Sequence, residues 1–220
     1  AFNAQGKTMA QENGMLYFAE GSAGAQIGTD RAGALLDQML EKIGPVKRVL
    51  LLPPDFTRYH SGAGEITTLL YERLKGRAQV EIMPALGTHY KMTEGELTRM
   101  FPGVPLELFH EHDWRNALVK MGEVPGDFIE KVSEGRLKYS IECAINRLLV
   151  EGNWDRIISV GQLVPHEIAG IANHNKNIFV GVGGRETIDK SHFLGSVYGL
   201  ERMMGRAKTP VRDVFNYMGR

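Results

Sequence analysis

Apolar residues recur at helical spacing at Leu35, Leu36, Met39, Leu40 and Ile43, which predicts a helix from Arg31 to the stop at Gly44-Pro45. The run VKRVLLL over 46–52 is apolar almost throughout and ends at Pro53-Pro54, the pattern of a strand buried on both faces. A second amphipathic stretch, 65–75, puts Ile66, Leu69, Leu70 and Leu74 on one side, and a strand is predicted over 79–84. Thr93 followed three residues later by Glu96 is a capping box opening a helix that ends at Phe101-Pro102. Further strands are predicted over 15–19, 105–109, 156–160 and 178–182, and 137–150 alternates in the β manner. Residues 114–134 read as an antiparallel excursion. A Gly-Gly turn at 183–184 leads into a helix start that reaches His192, and a last helix begins after Pro210. Strand and helix alternate through the first half. The pattern therefore predicts an α/β fold, a largely parallel sheet flanked by helices, with ligand loops at the carboxyl ends of the strands.

Composition narrows the function classes. The 220 residues suit one large domain, and 43% apolar residues suffice for a real core. The 26 basic residues balance 26 acidic ones, with no basic stripe for nucleic acid. The lone cysteine, Cys143, excludes an intrachain disulfide and a thiolate metal cluster and reads as a structural residue. No apolar run approaches a membrane span, and residues 1–14 are polar with no hydrophobic signal core, so a soluble cytoplasmic chain is expected.

Reactive side chains concentrate at predicted strand ends. Asp55 and Arg58 follow strand 46–52 in Pro-Pro-Asp-x-Thr-Arg, where they could clasp an anion, orient a histidine or form a surface ion pair. His89 follows strand 79–84 in Gly87-Thr88-His89, placed to move a proton near neutral pH or to sit in solvent. His110 and His112, at i and i+2 in His-Glu-His-Asp, share a face if the segment is a strand, which is how many metal sites begin. The densest stretch is 161–192, with His166, His174, Lys176 and His192 around the Gly-rich turn. His166-Glu167 begins like His-Glu-x-x-His, but Gly170 holds the fifth position. Gly181-Val182-Gly183-Gly184 begins like a dinucleotide fingerprint, but Glu186 stands where the last glycine belongs. What remains is a glycine turn before a helix N-terminus, suited to an anion. Lys176 reads either as a solvated amine or as one able to bond to a cofactor.

Together these residues resemble the nickel-dependent lactate racemase family. The matching motifs are Asp55-x-Thr57-Arg58, Gly87-Thr88-His89, His112-Asp113, Asn146-Arg147, Pro165-His166-x-x-x-Gly170, Lys176, and Thr187-Ile188 followed by His192, in register over about 46–205. The resemblance implies an isomerase: a racemase or epimerase of a lactate-like 2-hydroxy acid. It would work by proton-coupled hydride transfer to a nickel-pincer nucleotide, nickel pyridinium-3,5-bisthiocarboxylic acid mononucleotide. It further implies a covalent cofactor link through Lys176, nickel coordination by His192, and an acid/base pair of His89 and His166 on opposite sides of the substrate. Asp55 and Arg58 would steady the catalytic histidine and the cofactor. Thr57, Gly87, Thr88, Gly183 and Gly184 would help seat the cofactor, the glycine turn its phosphate. Cofactor-synthesis and nickel-insertion proteins would be partners, with no nucleic acid or membrane. Residues 1–205 would form the catalytic and cofactor domain, and 206–220 would begin a linker to a further C-terminal domain that closes over the substrate. The chain departs from the family pattern at Tyr59 and Tyr90, and at Ala172-Asn173-His174, where Ser-Gly-Gly is usual, which leaves the substrate open. His174 would be a substrate contact, a surface residue or a further ligand. Two other readings are kept: a non-catalytic cofactor-binding homologue, and a mononuclear metal-dependent hydrolase using His110, His112 and His166.

Overall fold

The computed structural model describes residues 16–220. After α1 (Thr29–Ile43) come β1 (Arg48–Leu52), a 3-10 turn (Phe56–Ser61), α2 (Ala63–Leu74), β2 (Gln79–Ile82) and α3 (Glu94–Met100). Next are β3 (Leu118–Val124), α4 (Gly126–Val132), β4 (Ile141–Asn146), α5 (Arg147–Glu151) and β5 (Arg156–Ser159). The chain continues through β6 (Pro165–His166), β7 (Gly170–Ile171), α6 (Asn175–Phe179), α7 (Arg185–Tyr198) and α8 (Pro210–Met218).

The central sheet has the order β2-β1-β5 and is parallel throughout, with Val49 opposite Val80 and Leu50 opposite Ile157. Four successive residues of β1, Val49 to Leu52, have no solvent exposure because both faces are covered. Val49 and Leu51 face a core made with Leu36 and Leu40 of α1, Leu70 and Leu74 of α2, and Met100 of α3. Leu50 and Leu52 point the other way, into a core with Ile141, Cys143 and Ile145 of β4, Leu194 of α7, and Val211, Val214 and Phe215 of α8. Side-chain alternation along a strand sends one apolar run into two cores. The second core rests on the antiparallel pair β3-β4, in which Leu118 lies opposite Asn146 and Val124 opposite Ile141. β3 and the helix α4 that follows it fall within 114–134, read as an antiparallel excursion, but the partner strand β4 lies beyond that stretch.

The capping box forms in full: Thr93 Oγ1 accepts from the Glu96 amide at 3.3 Å, and Glu96 Oε2 accepts from the Thr93 amide at 2.8 Å. Other expectations are corrected. Residues 105–109 form a 3-10 turn (Leu106–Leu108) behind Pro105, and only Phe109 makes a bridge, to Ile82. Residues 178–182 are the end of α6 and a turn, and their apolar character reflects burial between layers. The β pattern over 137–150 yields a strand only at Ile141–Asn146, after which Asn146 caps α5 by accepting from the Leu148 amide. The predicted strand 15–19 does not form at 16–19, and residue 15 lies outside the described residues. The N-terminal stretch 1–14, read as lacking a signal core, also lies outside them. Residues 206–220, expected to begin a linker, include α8, whose Val211, Val214 and Phe215 are completely buried in the same core. Among the described residues no helix is long and apolar enough to cross a membrane.

Candidate active site

The loops after β1, β2 and β5 converge with β6 and α6 on a cavity of about 300 Å³. Its lining includes Asp55, Thr57, Arg58, Gly87, Thr88, His89, His166, Lys176 and His192. Parallel strands all end on one side, so loops far apart in sequence meet there.

β1 delivers Asp55. The Pro54–Ala85 bridge and the Ala85 amide to Pro53 carbonyl bond (2.7 Å) extend the strand pairing past the sheet. This brings the loop after β2 alongside, and Asp55 Oδ2 lies 2.6 Å from His89 Nδ1. The other carboxylate oxygen accepts from the Thr57 hydroxyl. Asp55 is only 6% exposed, whereas the His89 side chain is 59% exposed. A buried acceptor thus holds an imidazole that reaches outward. Gly87 has φ +60°, which a side chain would strain, and its amide donates to Gly181 O at 2.7 Å, tying the loop to the segment after α6. The surface ion pair between Asp55 and Arg58 does not form. Among the described residues Arg58 has no ion-pair partner, and its guanidinium lines the cavity.

His166 sits at the end of β6, and its Nδ1 accepts from the amides of Ile168 (3.1 Å) and Ala169 (3.2 Å). Gly170 permits this turn. It has φ +82°, and a Cβ there would lie 2.1 Å from Arg206 O. Burial, reinforced by the charge of Lys176, pushes the His166 pKa down to about 4. Lys176, in the first turn of α6, also has its pKa lowered, first by burial and then by the Arg58 charge. It has no acidic partner within ion-pair distance among the described residues. His192 projects from the middle of α7, its ring centroid 6.5 Å from that of His166 and edge-on to it, and burial lowers its pKa.

Other predicted positions fall elsewhere. Gly183 and Gly184 do not line the cavity. Gly183 pairs with Ile145 and its carbonyl accepts from His112 Nε2 (3.0 Å), while the Gly184 amide donates to Ala144 O (3.1 Å). Gly181 lines the cavity instead, packed so closely that a Cβ would meet Ala85 at 2.7 Å. The pair His110 and His112 is not on a strand. His110 Nε2 meets Glu81 Oε2 at 2.7 Å, while His112, almost fully buried, accepts from Asn146 Nδ2 at 3.0 Å. Burial lowers the His112 pKa. With His166 in the cavity, the three histidines offered for a mononuclear hydrolase are parted. Among the described residues no group of three or more His, Cys, Asp or Glu side chains could hold a metal unaided. His174 is exposed and caps α6.

Gln162, Asn173 and Asn177 also line the cavity and carried no sequence signal beyond polarity. Asn173 and His174 have φ of +65° and +56°, uncommon for residues with a Cβ. Their loop is pinned from α8: Arg212 donates to Asn173 O (3.3 Å) and to Ile171 O. The last helix therefore fixes the approach to Lys176.

Comparisons with known proteins bear on this geometry. A Thermotoga maritima protein of known crystal structure is 28% identical and superposes with a TM-score of 0.79, over 87% of this chain and 47% of that one. The chain thus spans about half the length of that relative. No curated protein matches. Residues 35–203 match the family described as lactate racemase N-terminal domain. Because that match runs over most of the chain and takes in every charged side chain of the cavity, the chain belongs to the lactate racemase N-terminal domain family.

Proposed function

We propose that this chain carries the reaction centre of a 2-hydroxy acid racemase or epimerase that works with a nickel-pincer nucleotide. The observation that supports it is the convergence of His89, His166, Lys176 and His192 on one cavity. The residues fit the cofactor. Lys176 is a half-buried amine without an acidic partner within ion-pair distance among the described residues and with a lowered pKa, which favours the neutral, nucleophilic form needed for a covalent link. His192 reaches the same cavity as a neutral imidazole able to ligate a metal. Arg58 lines it as a cation without an ion-pair partner among the described residues, suited to a carboxylate or phosphate.

The chemistry follows from the substrate. The C2 proton of a 2-hydroxy acid is very weakly acidic, so stereochemistry is more easily erased by removing hydride from C2 and a proton from the hydroxyl. When bound, the cofactor supplies the electrophile for that hydride. His89 takes the hydroxyl proton at Nε2, and Asp55 stabilises the imidazolium that forms. The planar 2-keto acid can then be reduced on either face. Gly87, its amide committed to Gly181 O, lets the backbone approach the same wall, where Thr88 adds a hydroxyl.

Two measurements test this. Mass spectrometry on protein from cells that make the cofactor should show nickel and added mass at Lys176. Deuterium should exchange at C2 across a panel of 2-hydroxy acids. Unmodified Lys176 with no nickel would refute the proposal. A second reading, cofactor carriage without turnover, is favoured by the 59% exposure of the His89 side chain, since water there competes with ordered proton transfer. It expects nickel and modified Lys176 with no exchange.

A further inference from the structure

Lys176 is the second residue of α6, a helix of five residues, too short to hold its own first turn in place. The backbone just before it is strained. Asn173 has φ +65°, and His174 has φ +56° with ψ −138°, a conformation that glycine favours. A residue with a Cβ keeps such a backbone only where its surroundings over-determine it. Those surroundings are the first turn of α8. Thr209 Oγ1 donates to Ala169 O (3.2 Å), and Arg212 donates to Ile171 O and to Asn173 O (3.3 Å). These are alternate residues, so their carbonyls leave the chain on one side, as along a strand. On the other side the segment pairs with β6, and the Ala172 amide donates to Val164 O (2.9 Å). The Asn175 side chain then donates to Asn216 Oδ1 of α8 (3.1 Å). α8 thus holds 169, 171, 173 and 175, up to the residue before Lys176. Arg212 is the centre of this grip. It is only 7% exposed, and among the described residues no carboxylate lies within ion-pair distance of it. Two of its nitrogens each hold one carbonyl. A buried guanidinium with no counter-ion keeps the dipoles it has, because losing them leaves a bare charge in the core.

We propose that Arg212 is a positioning residue for Lys176: by holding the carbonyls of Ile171 and Asn173 it fixes the strained turn at 173–174 and aims the Lys176 amine into the cavity. This rests on the racemase reading, in which Lys176 carries the cofactor, and adds a residue outside the cavity to it. Arg212 does not line the cavity and lies beyond residues 35–203, the stretch matched to the family. Its charge works in the same sense as its grip. Burial and then the Arg58 charge lower the Lys176 pKa, and the Arg212 charge adds to them.

Amide hydrogen exchange reads the grip without cofactor. The Ala172 amide, bonded to Val164 O, and the Asn177 amide, bonded to His174 O (3.0 Å), lie on either side of the strained pair. In the full chain Arg212→Met keeps an apolar stem and loses every donor, and it should speed exchange at both amides by about 10-fold or more. Arg212→Lys has one nitrogen for two carbonyls and should speed exchange by about 3-fold or more, but less than Arg212→Met. Val214→Ala weakens the same helix in the core, where Val214 is fully buried, without touching the loop, and should leave both amides within about twofold. In protein from cells that make the cofactor, added mass at Lys176 should fall in the same order, by about 10-fold or more in Arg212→Met, and should stay near full in Val214→Ala. Should Arg212→Met fail to fold, Arg212→Lys against Val214→Ala carries the comparison. Equal exchange in the Arg212 and Val214 variants overturns the proposal, and so does a loosened loop with unchanged mass at Lys176. An unaltered chain that gains neither nickel nor mass at Lys176 defeats the racemase reading, while faster exchange in the Arg212 variants alone still upholds Arg212 as the residue that sets this loop.

Discussion

His166 makes stability depend on pH in a direction fixed by its surroundings. In the unfolded chain the imidazole titrates near its ordinary value of 6.5, and in the folded chain its pKa is about 4. The unfolded state therefore binds the proton first, and stability present above pH 6.5 is lost as pH falls toward 4. At pH 5 the two states differ in proton binding by a factor of about 30, or about 2 kcal/mol, nearly all of it absent at pH 7. His112 and His192, whose pKa values are also lowered by burial, add loss in the same direction. Urea unfolding at pH 7 and pH 5 reads the effect. With a slope of about 2 to 3 kcal/mol per M, the His166 share moves the midpoint by about 0.7–1 M. The His166→Asn variant isolates that share, because the amide oxygen can still accept from Ile168 and Ala169 but does not titrate. Its stability should fall by about 2 kcal/mol less than that of the unaltered chain between the two pH values. Equal falls would show that His166 is protonated as readily in the fold as in water, and the account of its burial would be wrong.

Asp55→Asn offers His89 Nδ1 an N–H in place of a carboxylate, which turns the tautomer and puts the proton on Nε2. C2 exchange should drop about 10²- to 10⁴-fold, with unchanged rates refuting the orienting role. Leu51→Ala empties a fully buried position under α2 and should cost about 2–5 kcal/mol in chemical unfolding. Cys143 is buried, and burial pushes its thiol up to about 11. It should react with thiol reagents at pH 8 only at the rate of unfolding, and rapid labelling of native protein would contradict its place in the core.

The parts of this molecule that were legible in sequence are those where one local cause dominates. The apolar run of β1, the helical faces of α1 and α2, and the Thr93–Glu96 box each have a pattern that tertiary contacts reinforce. The segment 178–182 misled because burial between layers and strand pairing leave the same apolar trace. What separates them is Gly181, which lets the turn press on Ala85, and Val182 O, which accepts from the Asn146 amide at 2.8 Å. Neither is a periodicity. The same distinction runs through the site. Ionisable residues announce themselves by their chemistry, and Asp55, Arg58, His89 and His166 near strand ends do meet Lys176 of α6 and His192 of α7. Gly183 and Gly184 have the composition of an anion turn, but their backbone groups are committed to β4 and His112. Asn173 carries no charge and no pattern, yet it holds a left-handed backbone in the cavity wall, on a carbonyl fixed by Arg212 of α8. That contact joins residues 39 positions apart. It makes the last helix a support of the site, which its spacing from the chemistry conceals.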